Sequence, residues 1–456
     1  MKPGGIEAPQ TIPSSSGYTQ YPRIRGIGRP RFLAEIPKLF ANYLSNFSVG
    51  ATLRGRPKDG TINGARPRVG ATLAVALQGD GGRDGTPKGR HKLRPSPTWK
   101  VPMNRDALLL LLWLLVKCIM DSRYAYAVGK IRAREVRLLD LHKLLSILEA
   151  ENVEQALKGL SDTDYGEGLA LVKTEENFDS HLSRQMESIY ELISELTHDP
   201  ELTDLFILRN DFHNIKVAFK KKCGATAEEE YYLAPSIVNR QELVEGVETG
   251  SFARLPPLLA GALQKIERIF SSEKNMQLIE TTFDEIYLSH CLQVSRQAKC
   301  EFLEKFFSIQ IDLTNIRTFL RLKEMAKGRD YLEKCLISGG ILEKEHFLKS
   351  FEGFLGSFVD SMRFKDYYEI VKRGVENWNK SGSFSLLEKL FDDYLLNFVK
   401  KAKYISFGIE PLIGYLVAKE MEVKNLRTVI VGKFNGLSPE IIKERLRESY
   451  TGSRNL

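Results

Sequence analysis

Cysteine is scarce in this chain. Its five copies, Cys118, Cys223, Cys291, Cys300 and Cys335, are odd in number, widely spaced and never in a CxxC pair. That argues against a disulfide framework and a zinc site, and it fits a reducing compartment. Histidine is as sparse, and none of its seven copies pairs at metal-ligand spacing. Long apolar runs are missing too. The strongest, Ala107 to Val116, is about half the length a spanning helix needs, so any membrane role is expected to be peripheral. With Met103 as a start it would resemble a signal peptide, but a long body of cytosolic character follows. No GxxxxGK(S/T) phosphate loop occurs. Gly432 to Ser438 only scatters those letters and reads as a turn before the last helix. There is no GxSxG elbow. His290 and Cys291 are adjacent, but no third group is at hand to orient them. Asp392 and Asp393 point apart on a helix and read as a solvated face. No catalytic residue, cofactor or metal ligand is therefore expected.

Charge of one sign is missing from most of the chain. The formal net charge is +8, yet residues 1–100 alone hold 17 Lys and Arg against 5 Asp and Glu, so the remainder is mildly acidic. A nucleic-acid partner needs a basic face on the folded part, and none is expected here. The same first hundred residues carry 15 of the 35 glycines and 11 of the 18 prolines. Such composition cannot bury a core that offsets ordering entropy. Residues 1–119 are expected to be a disordered extension. It is either a basic tail that touches phosphate or lipid, or upstream sequence translated from an over-extended gene start. The abrupt change of texture at Met120 favours the second.

From Met120 onward, amphipathic helices dominate and strand-like alternation is nearly absent. Ser122 to Leu148 is rich in helix formers, with apolar residues at helical intervals. Leu387, Leu390, Phe391, Tyr394, Leu395 and Phe398 make a one-face stripe. Asp199-Pro200-Glu201 reads as an N-cap, a proline at the first helical position and an acid in the first turn. That helix should run to Lys222 and stop at Gly224. Ser438-Pro439-Glu440 is the same signal for a last helix, expected over 439–450.

One pattern occurs three times. Asp211, Asp312 and Glu422 are each followed three residues later by Asn214, Asn315 and Asn425, and five later by Lys216, Arg317 and Arg427. Lys222, Lys323 and Lys433 follow eleven after the acid. Upstream stands a second shared word, at Phe178-Asp179, Phe283-Asp284 and Phe391-Asp392. Two words in the same order three times, at a period of about 105 residues, mark an internal repeat. Positions one, four and eight after the acid are apolar in all three copies and form one stripe on a helix. The polar residues border it. They either edge a core helix, with Asn paired to nearby backbone, or pair acid to base between neighbouring units. The expected fold is all-α, with three similar helical domains in tandem at 120–225, 226–335 and 336–456. Such units can close into a pseudo-threefold body whose axis suits a part seated on a shaft or ring.

The words Tyr124 to Ala133 (YAYAVGKIRA), Leu160 to Gly166 (LSDTDYG) and Leu208 to Lys216 (LRNDFHNIK) resemble the C subunit of archaeal and bacterial V/A-type ATPases. The d subunit of eukaryotic vacuolar ATPases belongs to the same family. The similarity spans about Met120 to Tyr450, with no counterpart for residues 1–119. It implies a non-catalytic, funnel-like piece of the central-stalk rotor, one copy per complex, on the cytoplasmic face of the membrane. Its implied partners are the coiled-coil proteins of the central shaft and the membrane proteolipid ring. It would couple ATP synthesis or hydrolysis to proton or sodium transport. An unrelated helical adaptor, or a helical enzyme with an unrecognised site, is the alternative. A coupling protein should bind shaft and ring proteins and turn over nothing.

Overall fold

A computed structural model describes residues 122–224 and 232–452. They lie within one compact unit, Met103–Leu456, and all their regular structure is helical. The extension expected at 1–119 falls outside the described residues.

The described residues begin with α1 (Ala125–Glu135), α2 (Leu141–Glu149) and α3 (Val153–Lys158), followed by the long pair α4 (Glu175–Leu196) and α5 (Pro200–Lys222). Then come α6 (Arg240–Thr249), α7 (Pro257–Glu273) and a second long pair, α8 (Met276–Gln297) and α9 (Glu301–Glu324). Four helices follow: α10 (Arg329–Cys335), α11 (Lys344–Ser350), α12 (Leu355–Ser361) and α13 (Tyr368–Ser381). The third pair is α14 (Ser385–Val399) and α15 (Glu410–Phe434), and α16 (Pro439–Arg445) is last. Local chemistry sets many of the starts. Asp140, Asn152, Thr174, Asn239 and Asn275 each accept a backbone N–H of the first turn. Asp199 and Pro200 open α5 as expected, and Gly224 follows its end at φ +93°.

Two helix expectations need correction. The helix-forming stretch from Ser122 to Leu148 is broken at 136–140, where Asp140 caps α2 by accepting the Lys143 N–H at 2.8 Å. The last helix ends at Arg445 instead of Tyr450. The chain beyond it is held by side chains: Arg447 exchanges both backbone groups with Asn425, and the Glu448 N–H goes to Asp393 at 2.7 Å. Two external acceptors and one donor replace the bonds that another helical turn would have made.

The second word lies on α4, α8 and α14, and each of these leads directly into a motif helix, α5, α9 or α15. Each motif helix also packs along the next pair: α5 on α8, α9 on α14, and α15 back on α4. The apolar stripes of the three motif helices, Phe212/Ile215/Phe219, Leu313/Ile316/Leu320 and Val423/Leu426/Ile430, are all buried. Small residues let some helices approach closely. Gly374 on α13 faces α14, where an added Cβ would lie 3.0 Å from Leu387 Cβ and 3.1 Å from its Cα. Gly374→Ala should therefore overpack this contact and lower stability by about 1–3 kcal/mol, visible as a reduced midpoint in urea unfolding. An unchanged midpoint would show that α13 and α14 can slide apart freely.

Candidate functional site

The repeated polar residues stitch the fold. Asn214 donates to the Leu233 carbonyl at 2.9 Å and accepts its N–H at 2.7 Å. Asn315 does the same with Ile337, at 2.8 and 2.9 Å, and Asn425 with Arg447, at 3.1 and 2.9 Å. Each buried amide acts as a surrogate strand partner for an extended segment that no sheet satisfies. Asp211 accepts the N–H groups of Ile237 and Val238, and Asp312 those of Ile341 and Leu342, all at 3.0 Å. Glu422 takes its backbone bond from much earlier in the chain, from the Leu139 N–H. Val238, Leu342 and Leu139 each stand immediately before the N-cap of a short helix, α6, α11 and α2. The segment around α2 thus completes the third copy. Ser449 Oγ bridges the gap by donating to the Leu139 carbonyl at 2.7 Å.

Two of the three bases reach the second word of a neighbouring copy, and none of them pairs with a motif acid among the described residues. Lys216 pairs with Asp284, and Arg427 pairs with Asp179 at 2.6 Å. Arg317 has no ion-pair partner among the described residues, because Asp392, its counterpart, is taken by Lys424 and Arg447. One turn along, Lys220 pairs with Glu280 and Arg321 with Glu388. Half-exposed ion pairs contribute about 0–1 kcal/mol each, so their main effect is to fix the register between helices. Lys323 and Lys433 cap the ends of α11 and α2 by donating to the carbonyls of Phe351 and Ala150, where a cation meets the negative end of the helix dipole.

The opposite face of the motif helices lines a cavity of about 400 Å³. Five residues before each motif acid stand Phe206, Phe307 and Val417, and two residues before it stand Arg209, Gln310 and Glu420; all six line the cavity. Equivalent positions of three helices therefore converge on one space. The apolar layer continues into an aromatic cluster, with Phe206 6.0 Å from Phe306, Phe306 5.3 Å from Phe307 and Phe302 stacked on Phe398 at 5.1 Å. At the starts of the three helices, burial, with Glu410 and Asp199 adding to it, pushes the Cys300 thiol up to about 11. In the polar layer Arg209 donates to Glu420 at 2.7 Å, and the Tyr190 hydroxyl donates to the same carboxylate at 2.5 Å. The Glu420 carboxylate raises the pKa of Arg209. Protein surrounds this guanidinium, yet 43% of its side-chain surface is open, as expected on a concave wall. Of the nine repeat-motif residues singled out in the sequence, only Arg427 reaches this cavity.

Among the described residues, no group of three His, Cys, Asp or Glu is placed to hold a metal. No helix among them is long and apolar enough to cross a membrane. Burial pushes the Cys291 thiol far up, so it is no nucleophile at neutral pH.

Residues 127–445 match the ATP synthase (C/AC39) subunit family. The chain belongs to that family. It is 27% identical over 321 residues to the C subunit of the V-type sodium ATPase of Enterococcus hirae, covering 70% of this chain and 97% of that protein. It is 28% identical over 359 residues to the C subunit of the A-type ATP synthase of Methanocaldococcus jannaschii, covering 74% and 89%. The corresponding protein of Methanothermobacter thermautotrophicus is 26% identical over 340 residues, covering 71% and 87%. As a C/AC39 family member, this chain is a non-catalytic part of a V/A-type rotary ATPase.

Proposed function

We propose that this C/AC39 protein is the piece of the rotor that joins the central shaft to the membrane proteolipid ring. The observation that carries the reading is the convergence of equivalent positions from three motif helices on one cavity. Three copies around a common space make a socket with an axis, and a socket on an axis suits the foot of a rotating shaft. The three units begin near residues 120, 226 and 336, the third completed by α2 and α3. The opposite end of the body would rest on the ring at the cytoplasmic face, one copy per complex. Close-packed helices suit the role because such interiors transmit strain. The named relatives include a sodium ATPase and ATP synthases, so proton or sodium transport, in either direction, is compatible.

The test is to reconstitute the rotary ATPase with and without this chain. Without it, ATP hydrolysis by the soluble part should persist while ion pumping fails. Pumping at the normal ratio of ions to ATP would overturn the coupling role.

A further inference from the structure

The wall of the central cavity is charged on one side only. Its charged residues, Arg209, Asp392, Glu420, Lys424 and Arg427, all belong to α5, α14 and α15. The facing helices α8 and α9 contribute Tyr287, Phe306, Phe307 and Gln310, with no charge. On the charged side the cations are the open partners. Arg209 and Lys424 keep 43% and 45% of their side-chain surface accessible against 17% for Glu420 and 24% for Asp392, while Arg427, at 45%, is as open as its partner Asp179, at 42%, which does not line the cavity. Anything entering the cavity therefore meets cations on one flank and aromatic and amide surface on the other. We propose that this sidedness keys the angle at which the shaft seats: the occupant is a helical shaft tip with one acidic face and one apolar face, held in a single rotational position.

The proposal rests on the coupling role above and adds a requirement to it. Three similar copies around an axis would offer three nearly equivalent seats, and a shaft that slipped among them would lose rotation between ring and motor. The wall breaks that equivalence, because the same layer carries Arg209 in one copy, Gln310 in the next and Glu420 in the third. A partly shielded charge pair changes affinity by a few-fold to about tenfold, so two or three of them separate one seat clearly from the others.

The experiment uses the full chain and the purified central-shaft proteins of the same ATPase. One spin label sits on the shaft. The other is a non-natural residue at Glu154, an exposed site on α3 paired only with Lys158, which leaves the native cysteines untouched. The wild-type complex should give one narrow inter-label distance. Gln310→Arg adds an open cation on the uncharged flank without unpairing any buried group, and it should add a second distance. Arg209→Gln combined with Glu420→Gln removes a pair together, and it should weaken shaft binding about tenfold and broaden the distribution. A single, unchanged distance in both variants, with helicity and affinity intact, would overturn the keying. Several distances in the wild type would do the same. A wild-type chain that fails to bind the shaft at all would instead overturn the coupling role on which the proposal stands.

Discussion

Glu422→Ala should cost about 3–5 kcal/mol of stability, because it strips a buried lysine of its close counter-charge. Lys419 is 2% exposed and donates to Glu422 at 2.6 Å, with Asp164 farther off at 3.4 Å and the Tyr165 ring centre 4.9 Å away. The same carboxylate accepts the Tyr165 hydroxyl at 2.7 Å and the Leu139 N–H. Alanine would leave a hydroxyl and a backbone N–H without their acceptor in the interior, and the ammonium with only its longer contact to Asp164. Because Leu139 belongs to the segment leading into α2, the damage should appear first where α2 meets α15. Backbone amides of α2 and α3 should exchange faster than those of α8 and α9, and the urea midpoint should drop. Replacing the pair together, Lys419→Met with Glu422→Leu, should recover much of the loss, since no unpaired charge remains. A loss below about 1 kcal/mol in Glu422→Ala would show that this cluster does not hold the two segments together.

Local signals carried the helix starts into the structure almost unchanged. Asp199-Pro200 and Ser438-Pro439 mark starts because a proline in the first turn is set for the helix by its own ring, although neither Asp199 nor Ser438 makes a side-chain cap bond. The partners of the repeated asparagines were not legible. Leu233, Ile337 and Arg447 lie in extended segments whose backbone is satisfied by side chains, so they show neither helical nor strand periodicity. The link from Glu422 to Leu139 spans most of the body, and no local pattern announces it. The cavity residues were missed for another reason. Phe206, Phe307 and Val417, and Arg209, Gln310 and Glu420, share positions without sharing identities. A search for repeated letters passes over them. The signal was angular: at 100° per residue the positions five before the acid lie about 150° round the helix from the apolar stripe and those two before it about 90°, and large apolar residues at the first of these imply a second buried or ligand-facing side.

Asp312→Ala should be the most damaging of the motif-acid truncations that act through a single clipped loop, and its cost should depend on pH in an unusual direction. The carboxyl is fully buried and accepts three donors, the N–H groups of Ile341 and Leu342 and the Tyr367 hydroxyl, each at 3.0 Å. Asp211 accepts the two backbone donors but lacks the hydroxyl contact that ties in a further helix. The fit at Asp312 is close enough that a Cβ on Gly340 would run into its Oδ1. Removing the carboxyl leaves two buried donors and the half-buried Ile341 N–H unsatisfied, for an expected loss of about 3–5 kcal/mol. Burial outweighs those donors in setting its proton affinity and pushes the carboxyl from its ordinary 3.8 up to about 6. Between those values the native chain binds a proton that the unfolded chain does not, so this group adds stability as pH falls through the window and withdraws it as pH rises. The alanine variant has no such group. The difference between wild type and Asp312→Ala should therefore be larger at about pH 5 than at about pH 7.5, measured by urea unfolding at both. An equal or smaller difference at the lower pH would mean that the three donors hold the carboxylate charged despite its burial, and the loop at 337–342 would then be clipped by an anion throughout.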